Sequence, residues 1–405
     1  VPVRVALESR GIEAAAGRTR LNRILARVGF LSRSSQLGLR SAARAPRRSV
    51  ATGLQIGIAV GVAFGFISLG ATMLAVVDQS FDAEAGDIHV YDQGGRPLDR
   101  AAEEVIAATD GVAALHRIHY AALGFGDDTY GAWALGHDGA YEYDLVEGRW
   151  LAEGDTAVVV VGQALAAERD LAVGDVITVE RFDDPALDVE VIGIDRVMVD
   201  DGKAFFVPLE PWLEAAGRSS SNAYWIDTAS PEPEVVDPAA GAIDRALRDR
   251  GHSVRTELRY VERQATRSEA TLILTFILLL GVPVLAIGMI SLVNTLTINT
   301  LERTREFGVL RSIGARRRHL ARMLRAEGMA IAALGWLLGV PIGYGIARLL
   351  IWLIGRAFEA EFPVVFPLWS LLPVLALTLL VAVLVIRVPL RRIARMSAGD
   401  ALRYE

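Results

Sequence analysis

The sequence predicts an α-helical membrane protein with four transmembrane helices and an α+β domain inserted after the first of them. Three observations predict it. Four segments are apolar over about the 20 residues that a bilayer crossing needs. Charge is segregated: residues 78–269 hold 39 of the 48 acidic side chains but 16 of the 42 basic ones. The chain is 52% hydrophobic with a mean hydropathy of +0.34, yet 22% of its residues are charged. That mixture is too apolar for an ordinary soluble protein and too charged for a bundle wholly in lipid.

The elements follow in order. Residues 1–49 form a basic N-terminal segment, and the first span covers 50–77. That span is too long for a signal-peptide core and lacks a convincing small-residue cleavage site. Gly53, Gly57, Gly61 and Gly65 recur every four residues within it. On a helix they make a groove of small residues along which another helix, in this chain or in another, can approach closely. The plainer alternative is that membrane helices are simply rich in glycine. Residues 78–270 form the inserted domain with its stalk, 271–298 the second span and 299–327 a loop. The third span covers 328–354, a short turn 355–367, the fourth span 368–386, and a basic tail 387–405. Gly281 and Pro283 bend the second span and Pro341 the third, because proline removes a backbone donor. Each bend is a hinge or, as for most such prolines, a static kink. No embedded acid or base stands out, and Arg348 can snorkel from the end of the third span. This weighs against a charged relay for ions or protons.

Arginine placement sets the direction. Arg33, Arg40, Arg44, Arg47 and Arg48 precede the first span, Arg303 to Arg325 fill the 299–327 loop, and Arg387 to Arg395 follow the fourth span. With four crossings these three sites share one side, which the positive-inside rule assigns to the cytoplasm. Both termini are then cytoplasmic and the acidic domain lies outside.

In the inserted domain, strand signals occur at 156–161, 176–179, 189–194 and 204–207. Helical pieces are expected at 101–108, 163–169 and 238–250, with a loop at 230–238. Candidate chemistry is sparse. His116 and His119 are spaced i, i+3, but no HExxH motif supports them and the chain has no cysteine. Structural or solvent roles are the expectation for them, as for the domain's other histidines, His89, His137 and His252. Gly124-Phe-Gly126 before Asp127 and Asp128 lacks the spacing of a calcium loop and reads as a turn. Asp183-Asp184 and Asp200-Asp201 read as solvated turns. No nucleophile elbow occurs. The expectation is a chain with no catalytic residues, no metal site and no nucleic-acid partner. The absence of cysteine also excludes disulfides.

The 302–327 stretch stands apart. It is dense in arginine yet carries the apolar set Phe307, Val309, Leu310 and Ile313. A loop that docks on a cytoplasmic partner needs such a set; a basic helix lying on anionic lipid is the alternative. Glu302 and Glu306 are ill suited to lipid. An ATP-driven machine needs GxxxxGK[ST], and the single lysine, Lys203, lies in no such loop. Any ATP hydrolysis is therefore expected on a separate polypeptide.

At Glu302-Arg-Thr-Arg-Glu-Phe-Gly-Val-Leu-Arg-Ser-Ile-Gly-Ala315 the chain resembles the FtsX/MacB-type (type VII) permeases of ABC transporters. Arg303, Arg305, Glu306, Gly308, Leu310, Arg311, Gly314 and Ala315 fit that family's signature, with Ser312 where alanine is usual. The ending from Pro389 to Glu405 is similar to the family's tail but lacks a proline at 397–399. Gly148-Arg-Trp150, Val161 to Ala166, Val173 to Thr178, Val189 to Ile194 and Val207-Pro-Leu209 follow the order of the MacB-like periplasmic core domain.

The resemblance implies a coupling helix from Glu302 to Ile313 ended by Gly314. Phe307, Leu310 and Ile313 would bury in the cleft of an ABC ATPase dimer, which would carry ATP and magnesium; this chain would bind no cofactor. It implies a bacterial inner or plasma membrane, a second permease half or copy as partner, and surrounding lipid. The basic start makes the chain the second half of a two-repeat permease or a lone subunit with an extension. The valine at position 1 fits a processed or cut chain, or an alternative start. Motion would pass to the exported domain through helices continuous with the first two spans, with 254–269 as the stalk, and without a substrate pore. The implied work is export or extraction of a lipoprotein, lipid, peptide or drug, aided by an adaptor or lipoprotein. The other class of reading is switching of an extracytoplasmic cell-wall hydrolase or signalling partner without transport.

Overall fold

The computed structural model describes residues 46–181, 184–197, 199–302, 316–357 and 362–387. Four of its helices have the length and composition of membrane spans. In chain order the elements begin with helix α1, Pro46–Ala83, then strand β1, Ile88–Asp92, helix α2, Arg100–Ala107, and the hairpin of β2, Val112–Phe125, and β3, Asp128–Leu135. Strands β4, Leu145–Gly148, and β5, Val158–Gly162, lead to helix α3, Gln163–Arg169. Next come β6, Val176–Arg181, β7, Asp184–Asp195, β8, Phe205–Pro208, and helix α4, Leu209–Ala215. Strand β9, Ala223–Thr228, helix α5, Pro233–Asp249, and strand β10, Val254–Leu258, complete the domain. Helices α6, Arg259–Glu302, α7, Arg317–Ala357, and α8, Leu371–Val385, follow.

The chain divides into two compact units. One holds residues 1–67, 277–346 and 367–405; the other holds 68–276 and 347–366.

The second unit is built on a ten-stranded sheet ordered β10-β1-β9-β2-β3-β8-β5-β7-β4, with β6 paired to β2 and β7. Most pairs are antiparallel; β3 with β8 and β5 with β7 are parallel. In the register, Ile88 faces Leu258 on one side and Ile226 on the other. Such apolar neighbours across strands stabilise a sheet. Helices α2 and α5 cover this end, burying Ile106, Val236, Ile243 and Leu247 over β1, β9 and β10. A second core joins α3 and α4 to β3, β5, β7 and β8 through Leu165, Trp212, Val191 and Phe205. On a third, Trp133, Phe206 and Trp225 pack with Tyr120 and Tyr141. Trp133 meets Tyr120 edge-on at 5.0 Å and Trp225 at 5.8 Å, the T-shaped geometry that the ring quadrupole favours.

Local chemistry explains the boundaries. Asp99 caps α2 by accepting from the Ala102 amide at 2.7 Å. Pro233 opens α5, where its missing N–H costs nothing, and Pro238 is accommodated in the second turn. The expected loop at 230–238 is therefore helix from Pro233 onward. Residues 254–258, read as the start of the stalk, are the edge strand β10, paired along β1; the stalk helix begins at Arg259. Gly126, with φ +65, makes the turn between β2 and β3, so 124–128 is a hairpin end. Gly86 has φ +93 and lies so close to the Ile226 amide that a Cβ would stand 2.8 Å from it. Any other residue there is strained twice over.

Candidate functional site

Three places carry the function-bearing geometry. In the first unit, α1 and α7 meet along glycines. A Cβ on Gly53 would stand 3.0 Å from Leu334, one on Gly57 3.1 Å from Leu338, and one on Gly61 2.6 Å from Ile342. The facing side is also glycine: a Cβ on Gly335, Gly339 or Gly343 would lie 3.1, 3.2 or 3.0 Å from the carbonyl oxygen of Gly53, Gly57 or Gly61. Two glycine rows in one register let the backbones touch, which is how membrane helices gain dispersion energy without a hydrophobic drive. The partner of the α1 groove is thus within this chain. Gly65 is buried as well. Gly281 lies 3.7 Å from Phe66, measured to its would-be Cβ. Pro283 and Pro341 sit inside α6 and α7, which are helical on both sides of them.

At the end of this unit where α6 stops at Glu302, a polar group gathers. Arg48 donates through both terminal nitrogens to Glu302, at 2.8 and 3.1 Å, and to the Asn299 side-chain oxygen at 3.0 Å. Asn299 in turn donates to Glu327 at 3.1 Å. The Arg48 contact holds the Glu302 carboxyl below its ordinary range. Glu327 is only 2% exposed. Glu327, at the end of the expected 299–327 loop, and Asn299, at its start, carry no sequence motif that marks them as part of this group. The helices also narrow the segment between the second and third spans: α6 reaches Glu302 and α7 starts at Arg317. Of the expected coupling residues, Glu302 is described. Arg303, Arg305, Glu306, Phe307, Gly308, Leu310, Arg311, Ile313, Gly314 and Ala315 lie outside the described residues.

In the second unit, the end of α1 and the start of α6 are zipped together. Arg263 bonds Asp78 at 3.0 Å and Asp82 at 2.7 Å, and Arg267 reaches Asp78 at 3.5 Å. One turn on, Arg259 pairs with Glu84 at 3.1 Å and stacks over Phe81, 4.4 Å from the ring centre. Burial pushes the Glu84 carboxyl up to about 7 against the pull of Arg259. Both ends are tied to backbone beside the sheet: the Arg259 amide donates to the Asp87 carbonyl, the Ala85 amide to the Ala140 carbonyl and the Glu142 amide to the Ala83 carbonyl, so that Glu84 is bridged to Tyr141. Farther along α1, Ser68 and Thr72 bond the backbone of Val365 at 2.6 and 3.0 Å.

Three of the domain's histidines are held by its fold. His89 is fully buried, stacks on Trp225 at 4.8 Å and bonds the Ala85 carbonyl at 2.8 Å. Burial, helped by Arg259, lowers it to about 3, so it is neutral. Burial likewise lowers His119 to about 4. His116 is the opposite case. Both ring nitrogens face carboxylates, Asp138 at 2.9 Å and Asp227 at 3.0 Å, which only the imidazolium can satisfy as donor twice. The Asp138 bond, then Asp227, raises it to about 9 against burial. Its folded value lies above its unfolded one. The stabilisation is therefore full below about 6.5 and is lost as pH rises through about 9. The two half-exposed partners discount it to about 1–2 kcal/mol. His116→Gln is expected to remove most of the fall in melting temperature between pH 6.5 and 9; tryptophan fluorescence of the purified chain measures it. Among the described residues no cluster of three or more His, Asp or Glu side chains could hold a metal ion.

Four membrane helices with a mixed α/β domain inserted after the first define a class: permeases with a large extracytoplasmic core. The FtsX-like permease C-terminal model matches residues 271–398, and the MacB-like periplasmic core domain matches 49–246. The chain belongs to the MacB/FtsX-type permeases of ABC transporters. The pyoverdine export ATP-binding/permease protein PvdT of Pseudomonas syringae pv. tomato is 25% identical over 87% of this chain and 56% of its own length. The uncharacterized ABC transporter permease YvrN of Bacillus subtilis is 27% identical over 49% of each chain. The chain spans about half the length of these curated relatives. The periplasmic region of MacB from Actinobacillus actinomycetemcomitans aligns with 44% of this chain and 91% of its own at 14% identity, TM-score 0.32.

Proposed function

We propose that this chain is the force-transmitting permease of an ABC exporter, moving a lipoprotein, lipid, peptide or drug from the outer face of the bacterial cell membrane. The observation that carries the reading is the unbroken run of α1 and α6. Each joins a span to a stalk in one helix, Pro46–Ala83 and Arg259–Glu302. Glu302, where a push would be delivered, ends the same helix that begins at Arg259. The arginine-flanked apolar set Phe307, Leu310 and Ile313 is the docking element for an ABC ATPase, and Glu306 and the neighbouring arginines orient it. Both termini and this loop lie in the cytoplasm, as arginine placement requires. ATP and magnesium belong to the ATPase. The printed name of PvdT, an export ATP-binding/permease protein, supports export as the class of work.

The test is purification of the chain with its ABC ATPase and measurement of ATP turnover. Glu306→Ala/Phe307→Ala is expected to abolish association or to remove stimulation by the permease. Truncating one buried aromatic anchor at such an interface costs about 2–4 kcal/mol, some 30- to 1,000-fold in affinity. Turnover and association equal to wild type would overturn the docking role.

A further inference from the structure

We propose that Arg48, Asn299, Glu302 and Glu327 form a clasp that positions the 303–315 segment for its ATPase, an inference that rests on the docking reading above. The four side chains come from three helices: Arg48 from α1, Asn299 and Glu302 from α6, Glu327 from α7. Glu302 is the last residue of α6, and Glu327 lies ten residues into α7, about 15 Å along it. The clasp therefore grips both helices between which the segment runs, and fastens them to α1.

Asn299 is the link. Its oxygen accepts from Arg48 at 3.0 Å while its amide nitrogen donates to Glu327 at 3.1 Å. An amide presents its acceptor and its donor on separate atoms, so it serves a guanidinium and a carboxylate at once. Asn299 is 8% exposed and Glu327 2%, beside the fully buried Leu296 and Leu324. A buried carboxylate costs several kcal/mol unless its partners hold it. Apolar residues of the same size would stabilise the bundle as well or better, so stability does not explain the set. What a leucine cannot supply is a fixed register, and buried polar sets are best attested in that role. The outer half of the clasp is two-toothed: Arg48 meets both oxygens of Glu302, the geometry in which guanidinium and carboxylate specify orientation as well as attraction. That half is exposed, 42% at Arg48 and 55% at Glu302, so it contributes little to folding and is free to be exchanged. Rotation of the end of α6 on ATPase engagement is then felt at once by α1 and α7.

The test uses the full chain in lipid nanodiscs with its ABC ATPase, with a nitroxide attached after Val309→Cys; the chain has no native cysteine to compete. Arg48→Glu and Glu302→Arg are made singly and together, with Glu327→Gln as a variant that keeps shape. Each single reversal is expected to mobilise the nitroxide and weaken ATPase binding about two- to thirtyfold, the range for mutations along a coupled network. Melting temperature should stay put and the double reversal should restore both readouts. Singles that leave nitroxide and affinity unchanged overturn the clasp, as does a double reversal that restores neither. If the ATPase fails to bind even the unmutated chain, the docking reading falls, and the nitroxide alone decides whether the clasp orders the segment.

Discussion

Gly339→Leu is expected to disrupt the membrane bundle, while Gly345→Leu in the same helix is tolerated. The two positions share helix, chemistry and propensity change and differ in what they face. A Cβ at Gly339 would lie 2.7 Å from Val60 Cγ1 and 3.2 Å from the Gly57 carbonyl oxygen. At Gly345 nothing lies within 4 Å. The Gly57 oxygen belongs to backbone and cannot rotate away, so α1 and α7 must separate. Separation also breaks the matching contacts at Gly335 and Gly343, because the three glycines share one register. Overpacking of this kind costs about 1–3 kcal/mol, and the backbone clash puts Gly339 at the upper end. Gly345→Leu gains up to about 1 kcal/mol in helix propensity and loses nothing. Melting of the two variants in detergent, against the unmutated chain, checks this; equal melting temperatures would show that the glycine rows do not hold α1 to α7.

Much of this fold was legible. Spans could be read because twenty apolar residues have few alternatives, and the mixed domain because Val158–Gly162 and Phe205–Pro208 are β-rich runs. Strands β1, β2, β3, β4, β9 and β10 fall outside the expected strand segments, and β2 shows why. Val112–Phe125 contains His116, His119, Arg117 and Gly124, and its burial alternates irregularly, because it pairs with β9, β3 and β6 in turn. Period-two patterning fails where a strand changes neighbours. The groove of α1 was visible from Gly53 to Gly65, and its partner could have been: Gly335, Gly339 and Gly343 repeat the same spacing. Pro341 lies within that repeat and reads as a bend. Asn299 and Glu327 gave no signal, since 28 residues separate them and only the fold brings their side chains to 3.1 Å. Across the candidate site, local patterns were readable and polar contacts made between helices were not.

Arg263→Glu is expected to unzip the stalk. Arg263 is the shared partner of Asp78 and Asp82, and Arg267 reaches only Asp78, at 3.5 Å. Each exposed pair alone is worth less than about 1 kcal/mol. Reversal does more than delete two pairs, because it sets a third carboxylate beside two others. Like charges at about 4 Å repel by roughly 1–4 kcal/mol, depending on how wet the site is. The loss falls where α1 and α6 leave the spans, with Gly70 packed on Leu274 on one side and Arg259 on Glu84 on the other. Those contacts should keep the domain folded while the helices between them part. Nitroxides after Gln79→Cys and Ala265→Cys, both exposed positions, report the separation. The distance distribution should be narrow in the otherwise unmutated chain and broad with Arg263→Glu. Adding Asp78→Arg and Asp82→Arg should narrow it again. Under the proposed mechanism a parted stalk lets ATP turn over without moving the domain, so stimulated hydrolysis survives while export falls. A distribution that stays narrow with Arg263→Glu would mean that apolar packing, and not this charge zipper, carries the stroke.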